Sequence, residues 1–463
     1  MSENLKVISP IDGNVYYECA MHNQEDINSA LVSAEKAQAE WRERPISERI
    51  EFINKFITAF ENKKEQISEE LTHQMGRPIS YTPFEVNGTI ERARGVLELA
   101  EASLVDVLVE QKEGFNRYIK REPLGVIFVI PAWNYPYLIA INSIVPALLA
   151  GNAVILRHSA QTPLVAERFA DTFKEAGLPE GLFQYLHLSH ENTAKVIEDK
   201  RISYVAFTGS VSGGYQIQKV AAKRFIDVGL ELGGKDPAYV RSDVDLNFAI
   251  ENLVDGAFFN SGQSCCGIER IYVHESVYDK FVEGFVELTK KYKLGNPLDS
   301  ETTLGPVAKR SGAELVRKHI KDAVAAGAKA LIDESLFPEA KEDTNYLAPQ
   351  VLIDVNHSMD VMYEESFGPV VGIMKVANDD EALKLMNDSP FGLTASIWTE
   401  SEDDAVKIGD KVNTGTWFMN RCDYLDPHLA WVGVKDSGRG CSLSQVGFEH
   451  LTRPKSFHLK VQH

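Results

Sequence analysis

Residues 123–156 read PLGVIFVIPAWNYPYLIAINSIVPALLAGNAVIL, and this stretch decides the fold class. It carries no formal charge, a feature shared by membrane spans and by the buried elements of α/β proteins. Prolines and asparagines interrupt it repeatedly, and a lipid-facing helix tolerates such breaks poorly. Residues 125–130 and 153–156 within it are short β-rich runs. We therefore predict a buried strand–loop–helix–strand unit and no membrane span.

The same alternation continues beyond this unit. Residues 204–207 and 225–230 predict strands, and residues 163–176 and 215–223 predict helices. Strands that alternate with helices indicate a parallel, doubly wound sheet, which binds nucleotides at the carboxyl ends of its strands.

A second α/β set follows residue 234. Its predicted elements are the helices 247–259, 276–291 and 311–326 and the strands 270–273, 370–376 and 395–398. The polar residues 338–345 predict a surface loop. We expect two α/β domains with a boundary near residues 233–234.

The N-terminal part is predicted to be a helical scaffold without chemistry. Residues 27–108 have apolar side chains at helical spacing. Ser47, which precedes Ile50 and Ile53, predicts a helix that begins with Ser47 as its cap. Residues 114–122 predict a short polar strand.

The composition excludes several classes of partner. The formal charge of −19 argues against binding to nucleic acid or to anionic lipid. The cysteines are few and two are adjacent, where a disulfide would be strained, so we expect reduced thiols and a cytoplasmic protein. No signal peptide is visible near the first residue, and no spacing of His and Cys predicts a metal site. The cysteines are Cys19, Cys265, Cys266, Cys422 and Cys441.

Two glycine-rich segments resemble phosphate-binding loops without matching them. Residues 229–235 read GLELGGK, but Asp236 stands where a P-loop needs Ser or Thr, so ATP binding is not expected. Residues 209–214 read GSVSGG and do not match the dinucleotide fingerprint. The Ser210 hydroxyl at a helix N-terminus is suited to a pyrophosphate, yet an ordinary strand-to-helix turn explains the segment equally well.

The segment FFNSGQSCCG at 258–267 carries a candidate nucleophile. Free cysteines are usually small core residues, but the neighbours of Cys265 are polar, which is unusual for a core position. A thiol in such a loop is a candidate for nucleophilic catalysis, although this motif alone leaves a structural cysteine equally plausible.

Five motifs together resemble the aldehyde dehydrogenase superfamily. They are PAWNYP at 131–136, FTGS at 207–210, ELGGK at 231–235, GQSCCG at 262–267 and EESFGP at 364–369, and the similarity runs from about residue 7 to about residue 457. The resemblance implies an α/β fold with a Rossmann-like cofactor domain, a catalytic α/β domain and a small β arm for oligomerisation. The corresponding residues are 1–109 and 123–233 for the cofactor domain, 234–442 for the catalytic domain, and 110–122 and 443–463 for the arm. A homodimer or homotetramer is expected.

The resemblance also implies a reaction. Cys265 matches the residue that attacks the aldehyde carbon, whereas Cys266 does not match the nucleophile. Asn134 matches the amide that stabilises the oxyanion, with the backbone N–H of Cys265 as second donor. Glu231 matches the base that hydrolyses the thioester, and relatives that transfer the acyl group to coenzyme A commonly lack it. The expected product is the free carboxylic acid, with a coenzyme A-acylating enzyme as the alternative.

The resemblance further assigns the cofactor, NAD or NADP, to a set of residues. Arg157 keeps a cation near the adenosine ribose, and Ala160 lacks the carboxylate that would repel a 2′-phosphate, so NADP is permitted and NAD remains expected. A glutamate that some relatives use for proton relay is replaced by Ser442. The residues matched to cofactor contacts are Trp133, Arg157, Gly209, Ser210, Leu232, Glu365 and Phe367.

The substrate is the least constrained part of the prediction. Tyr135 and Tyr424 are matched to the aldehyde tunnel, and Tyr137, Phe259, Trp417 and Trp431 lie in segments that line it in relatives, although core packing explains all six equally well. Such aromatic walls favour an apolar or aromatic aldehyde, whereas Arg421 would favour a semialdehyde that carries a carboxylate. A non-catalytic relative and a thiol hydrolase are the rival classes.

Overall fold

The computed structural model of the protein describes residues 4–461. The strands are β1 (Asn4–Ile8), β2 (Val15–Ala20), β3 (Val107–Leu108), β4 (Phe115–Pro123), β5 (Val126–Ile130), β6 (Ala153–Leu156), β7 (Phe183–Tyr185), β8 (Ile202–Thr208), β9 (Asp227–Glu231), β10 (Asp236–Val240), β11 (Ile268–His274), β12 (Lys329–Ala330), β13 (Gln350–Ile353), β14 (Val370–Val376), β15 (Phe391–Gly392), β16 (Thr394–Trp398), β17 (Thr416–Met419), β18 (Val434–Lys435), β19 (Gly438–Arg439) and β20 (Thr452–Lys460). The α-helices are α1 (Gln24–Trp41), α2 (Ile46–Glu61), α3 (Lys64–Met75), α4 (Thr82–Leu104), α5 (Pro136–Leu149), α6 (Leu164–Glu175), α7 (His190–Glu198), α8 (Val211–Ala221), α9 (Leu246–Phe258), α10 (Tyr278–Thr289), α11 (Arg310–Ala325), α12 (Asp360–Tyr363), α13 (Asp379–Asn387), α14 (Glu402–Gly409) and α15 (Ser444–Glu449).

The first large sheet has the order β19-β9-β8-β5-β6-β7. Strands β5 and β6 pair in parallel, are fully buried and come from the charge-free stretch, with α5 between them. The predicted strand–loop–helix–strand unit is therefore confirmed. Within residues 4–461, none of the helices is both long and apolar enough to span a membrane.

The second large sheet has the order β12-β13-β14-β11-β10-β16-β17. Strand β10 lies near its centre, is fully buried and follows the ELGGK motif directly. Strand β10 was not predicted, because it begins with Asp236 and Pro237, which are rare in central strands. The structure accommodates the acid because both the N–H and the hydroxyl of Thr394 donate to its carboxylate.

Helix α1 packs against strands β5 to β7 of the first sheet, and α2 to α4 pack against the helices α5 and α6. The predicted cap at Ser47 is wrong. Helix α2 begins at Ile46 with Pro45 as its N-cap residue, and no side chain caps it. The carbonyl of Pro45 accepts hydrogen bonds from the N–H groups of Glu48 and Arg49. Pro45 fixes its own φ and needs no N–H partner, so the helix starts before Ser47 is reached.

A small third sheet, in the order β20-β4-β3, joins two distant parts of the chain. Strands β4 and β20 are antiparallel, from Thr452 opposite Pro123 to Lys460 opposite Phe115. Most residues of β20 are exposed. The structure thus brings together the segments expected to form the arm, and residues 462 and 463 of that prediction lie outside the described residues.

Candidate active site

Two cavities meet at Cys265, between the carboxyl edge of the first large sheet and the amino edge of the second. The cavity that we call the tunnel has a volume of about 320 Å³ and is lined by Glu231, Cys265 and Tyr424 among others. The cavity that we call the cleft has a volume of about 510 Å³ and is lined by Trp133, Ser210 and Glu365 among others. Cys265 lines both, as do Thr208 and Leu232.

The loop that carries Cys265 is buried, although its polar sequence suggested an exposed position. Asn260, Ser261 and Gly262 have φ values of 53°, 56° and 71°, so the chain turns sharply after α9. Gln263 accepts a hydrogen bond from the N–H of Ala308 at 2.8 Å, and the Ser261 hydroxyl donates to the carbonyl of Gly305 at 2.8 Å. Internal hydrogen bonds satisfy these polar side chains, and this is why a polar loop is stable in the interior.

The adjacent thiols differ in environment. Cys265 is half-buried at the junction of the cavities, whereas Cys266 is buried. The Cys266 thiol donates to Asp423 Oδ1 at 3.0 Å, and its hydrogen bond with Cys265 together with burial raises the pKa of Cys266. A thiol with a raised pKa is a poorer nucleophile at neutral pH.

Asn134 lies on the loop between β5 and α5, beside the cysteine loop. Its side chain is buried, and Nδ2 donates to the carbonyl of Gln263 at 3.2 Å. Its backbone carbonyl accepts hydrogen bonds from Arg77 Nη2 and from Asn260 Nδ2. These contacts hold the amide next to Cys265.

Sequence reasoning missed the buried residues that hold Asn134 in place. Arg77 forms a buried ion pair with Glu85, and Arg77 Nε donates to Asn260 Oδ1 at 2.9 Å. Glu85 Oε1 also accepts a hydrogen bond from the N–H of Tyr137 at 2.9 Å. Nothing in the local sequence distinguishes this pair from the exposed charges of the helical scaffold.

Glu231 ends strand β9 and faces the tunnel. Its Oε1 accepts a hydrogen bond from the Ser442 hydroxyl at 2.5 Å, and its Oε2 accepts one from the Thr208 hydroxyl at 3.2 Å. Burial raises the pKa of Glu231, while these two hydrogen bonds and the nearby Arg92 oppose that rise. Ser442 thus supplies Glu231 with a hydrogen-bond donor.

The glycines of ELGGK permit a close approach of three chain segments. A Cβ atom at Gly233 would overlap the carboxylate of Glu365, and one at Gly234 would overlap the carbonyl oxygen of Cys265. Lys235 does not act as a P-loop lysine, because it is buried in an ion pair with Glu269. Glu269 in turn accepts the N–H groups of Ser366 and Phe367, which anchors the EESFGP segment.

Glu365 lines the cleft opposite the helix α8. Its Oε1 accepts the N–H of Gly234 at 2.9 Å. Burial and the negative charge of Glu269 raise the pKa of Glu365 to about 8. Phe367, at a φ of 52°, packs edge-to-face against Trp133 with ring centroids 5.6 Å apart.

The opposite wall of the cleft contains a helix N-terminus. Ser210 is the N-cap of α8, and its hydroxyl accepts the N–H of Gly213 at 3.2 Å. Helix α8 therefore begins at Val211, before the predicted residue 215. The helix end presents N–H groups, a suitable partner for an anionic pyrophosphate.

Two cations lie in or near the cleft. Lys309, which sequence reasoning missed, lines it with Nζ 5.5 Å from the centroid of the Trp133 ring. Lys309 forms no ion pair within residues 4–461. Arg157 does not line the cleft, and its Nη2 donates to the carbonyl of Leu188 at 3.3 Å. Burial and, to a smaller extent, Arg157 lower the pKa of Lys309.

The aromatic candidates separate into two groups. Tyr135 and Tyr424 line the tunnel, together with Phe259 and Trp431. Tyr137 is instead buried against Phe60 and Phe169, and Trp417 donates from Nε1 to the carbonyl of Ala405. The guanidinium of Arg421 stacks 3.5 Å from the centroid of the Tyr424 ring, outside the tunnel wall.

Comparison with known proteins agrees with this geometry. Residues 1–457 match the model of the aldehyde dehydrogenase family. The chain belongs to that family. It is 33% identical to the NAD(P)+-dependent succinate semialdehyde dehydrogenase of Escherichia coli, over 96% of this chain and 95% of that protein. It is 31% identical to a probable betaine aldehyde dehydrogenase of Schizosaccharomyces pombe, over 97% of this chain and 91% of that protein.

Solved structures give the same result. The NADP-dependent glyceraldehyde-3-phosphate dehydrogenase of Bacillus halodurans, in complex with NADP, superposes on this aldehyde dehydrogenase with a TM-score of 0.93. The two are 32% identical, over 99% of this chain and 96% of that one. The predicted family, the predicted α/β fold and the prediction of an NAD(P)-dependent enzyme are confirmed.

Proposed function

We propose that this enzyme oxidises an aldehyde to the carboxylic acid with NAD(P)+, through a thiohemiacetal and a thioester on Cys265. The observation that carries the proposal is that Cys265 lines both the tunnel and the cleft. A nucleophile at such a junction can hold a substrate from one cavity against a cofactor from the other. Nothing in the comparisons favours the coenzyme A-acylating alternative.

Attack of the Cys265 thiolate on the aldehyde carbon produces an oxyanion, for which Asn134 is the proposed donor. Its Nδ2 already reaches the carbonyl of Gln263, two residues before Cys265. A buried amide can donate to a developing negative charge without adding a titrating charge of its own. Together with the backbone N–H of Cys265, it would stabilise the tetrahedral thiohemiacetal.

NAD(P)+ supplies the hydride acceptor when it is bound, and the cleft fits such a ligand. The residues proposed to hold it are Trp133, Gly209, Ser210, Leu232, Glu365 and Phe367, all of which line the cleft. Glu365 has a carboxylate oxygen, Oε2, free to accept a ribose hydroxyl, and the N-terminus of α8 suits the pyrophosphate. Lys309 joins this set, whereas Arg157 lies behind the cleft wall.

The wall of the cleft near Lys309 is compatible with either NAD or NADP. Lys309 and Arg157 supply positive charge near one another, and Ala160 supplies no carboxylate against a 2′-phosphate. The relatives named above include proteins described with NAD(P)+ and with NADP. We propose that both cofactors are accepted.

Hydrolysis of the thioester is proposed to use Glu231 as the base. The carboxylate and Cys265 line the same tunnel, so both border the space that the hydrolytic water would occupy. Its raised pKa brings Glu231 closer to neutral pH, where a carboxylate is a more effective base. Cys266 has no role in this scheme.

The test is absorbance-monitored formation of NADH and NADPH over a panel of aldehydes. We expect Cys265→Ser to lower turnover about 10³-fold or more, because a hydroxyl is a far weaker nucleophile here than a thiolate. Cofactor binding, followed by fluorescence titration, should change little. Cys441→Ser, which removes another half-buried thiol, is the matched control. Undiminished oxidation by Cys265→Ser would contradict the proposal.

The domain organisation and assembly are proposed on the same basis. Residues 1–109 and 123–233 form the cofactor domain, residues 234–442 the catalytic domain, and residues 110–122 and 443–463 the arm. The exposed edge of β20 in the arm offers unpaired backbone groups to a second copy, which supports a homodimer or homotetramer. All five cysteines are free thiols, which supports a cytoplasmic location.

A further inference from the structure

The tunnel wall contains more acidic groups than aldehyde oxidation needs. Besides the proposed base Glu231, three acidic residues line it: Glu91, Asp255 and Asp423. The cation in the same wall is Arg92. Burial raises the pKa of Glu231 and of Asp423. The excess of acidic groups still bears on which charge the far end of the substrate carries.

Two acidic side chains of this wall, Glu91 and Asp255, have no partner among the described residues, and Asp255 is the one that the outer cavity does not share. Asp255 lies on α9 and lines the same tunnel as Cys265. Its side chain is exposed. Within residues 4–461, its carboxylate accepts no hydrogen bond and forms no ion pair. Partial burial and the charge of Asp423 raise the pKa of Asp255 to about 6, so it is mostly ionised at neutral pH. An ionised carboxylate in a partly enclosed wall is stabilised when a cation joins it.

Asp423 and Tyr135 extend the same polar surface deeper into the tunnel. Asp423 Oδ1 accepts the Ser264 hydroxyl at 2.7 Å and the Cys266 thiol at 3.0 Å, while Oδ2 accepts no hydrogen bond in the described chain. The Tyr135 hydroxyl is buried and has no hydrogen-bond partner among the described residues. Both side chains therefore retain an unused polar atom in a cavity that is built to hold a small molecule.

The remaining walls suit a cationic group as well. Phe259, Tyr424 and Trp431 line the tunnel. Aromatic faces attract ammonium groups through the ring quadrupole, most strongly where water is excluded. Aromatic walls with unpaired carboxylates between them form a site for a positively charged nitrogen.

The outer approach to the tunnel is acidic too. A shallower cavity shares Glu91, Tyr424 and Pro427 with the tunnel. It adds the acidic residues Glu61, Glu98 and Asp426 and the basic residues Arg94 and His428. His428 lies within ion-pair distance of both Glu98 and Asp426, and the acidic side chains of this cavity outnumber its basic ones. An anionic aldehyde would be repelled on this path and a cationic one attracted.

The arginines near the tunnel do not offset its excess of acidic side chains. Arg92 Nη1 donates to Asn142 Oδ1 at 2.9 Å and Nη2 to the carbonyl of Leu425 at 3.3 Å, and its charge acts on Glu231. Arg421 stacks on the ring of Tyr424 and does not line the tunnel. A substrate carboxylate would meet Arg92 as the one cation of the described tunnel wall and would lie among its four acidic side chains.

We propose that the substrate of this enzyme is an aldehyde whose far end carries a positively charged nitrogen, a protonated amine or a quaternary ammonium, and that Asp255 binds this nitrogen. The inference rests on the proposed function, because it assigns the tunnel to the aldehyde. It makes Asp255 a specificity-determining residue and gives Asp423 and Tyr135 supporting contacts.

The test compares three aldehydes that differ in charge. The cationic probe is 4-(trimethylammonio)butanal, its uncharged isostere is 5,5-dimethylhexanal, and the anionic probe is succinate semialdehyde. We expect kcat/KM to be about tenfold or more higher for the cation than for its isostere, since the two differ only in the charge that Asp255 meets. The anion should be the poorest substrate, and the preference for the cation should decline as salt is added.

Variants localise the effect. Asp255→Asn should remove most of the preference for the cation and leave kcat/KM for the isostere nearly unchanged. The control is Asp410→Asn, which removes the same charge from an exposed aspartate outside the tunnel and should keep the preference. Equal rates for the cation and its isostere, or faster oxidation of the anion, would overturn the inference while the proposed function stands. Failure to reduce NAD+ or NADP+ with any aldehyde would overturn both.

Discussion

The cleft and the tunnel share Cys265 and have opposite electrostatic character. The cleft presents the N-terminus of α8 and the ammonium of Lys309, which are suited to an anionic ligand. The tunnel presents the carboxylates of Glu91, Asp255 and Asp423. The proposed nucleophile thus lies between a cavity proposed to bind an anionic ligand and a cavity proposed to bind a cationic one. Because different residues line the two cavities, binding in the cleft and binding in the tunnel should be separable by mutation. The variants below test this expectation.

The largest effect is expected from Glu231→Gln, at the point where the tunnel meets Cys265. The amide cannot accept a proton from water, so hydrolysis of the thioester should slow by about 10²–10⁴-fold. Oxidation should then produce a burst of about one NAD(P)H per site followed by slow turnover, because only the later step is blocked. Stopped-flow absorbance measures both phases. A variant that loses the burst together with the steady state would show that Glu231 acts before hydrolysis.

The next largest effect is expected from Arg77→Ala, which should disturb both the cleft and the tunnel. Removal of Arg77 leaves Glu85 as a buried charge without its partner, which typically costs about 3–5 kcal/mol of unfolding free energy. Thermal or urea unfolding measures the loss. Arg310→Ala is the control, because that side chain is 38% exposed in its pair with Glu314, where such pairs contribute about 0.2–1 kcal/mol. Equal losses in the two variants would refute the role given to the buried pair.

Lys309→Ala should weaken ligand binding in the cleft and leave binding in the tunnel nearly unchanged. Loss of a cation beside an anionic ligand is expected to raise the Kd for NAD(P)+ by about tenfold, equivalent to about 1.4 kcal/mol. The KM for the aldehyde should change little, since Lys309 does not line the tunnel. Fluorescence titration measures the Kd for NAD(P)+, and steady-state kinetics measures the KM for the aldehyde. A change confined to the aldehyde KM would break the separation of the cavities.

The smallest effect is expected in the pH profile of kcat. Glu231 must be deprotonated to act as a base, and burial raises its pKa, so kcat should fall on the acid side at a higher pH than for an exposed glutamate. Ser442→Ala removes a hydrogen bond that lowers this pKa, and should therefore move the acid limb to higher pH. A hydrogen bond worth about 0.5–1.5 kcal/mol corresponds to at most about one pH unit. An unchanged acid limb would show that another group titrates there.

Contiguous motifs made the cleft more predictable than the tunnel. Glycine and a helix cap give recognisable local patterns, so Ser210, Gly209 and Glu365 could be assigned from sequence, and the structure places them around one cavity. Lys309 lies outside any such pattern. Tyr135 and Tyr424 could be matched only through neighbouring motifs, and the tunnel acids Asp255 and Asp423 were not singled out at all. Their common position depends on how separate segments pack.

The sequence by itself determined the α/β fold, the family and the candidate nucleophile, because buried strands, glycine turns and a polar cysteine segment leave signals within a few residues of chain. Tertiary structure alone decided which charges are paired. Arg77 pairs with Glu85 and Lys235 pairs with Glu269, whereas Asp255 has no partner within residues 4–461. It also showed that the loop around Cys265 is buried and internally hydrogen-bonded. Charge pairing and burial depend on distances between elements far apart in the chain, and no local pattern encodes those distances.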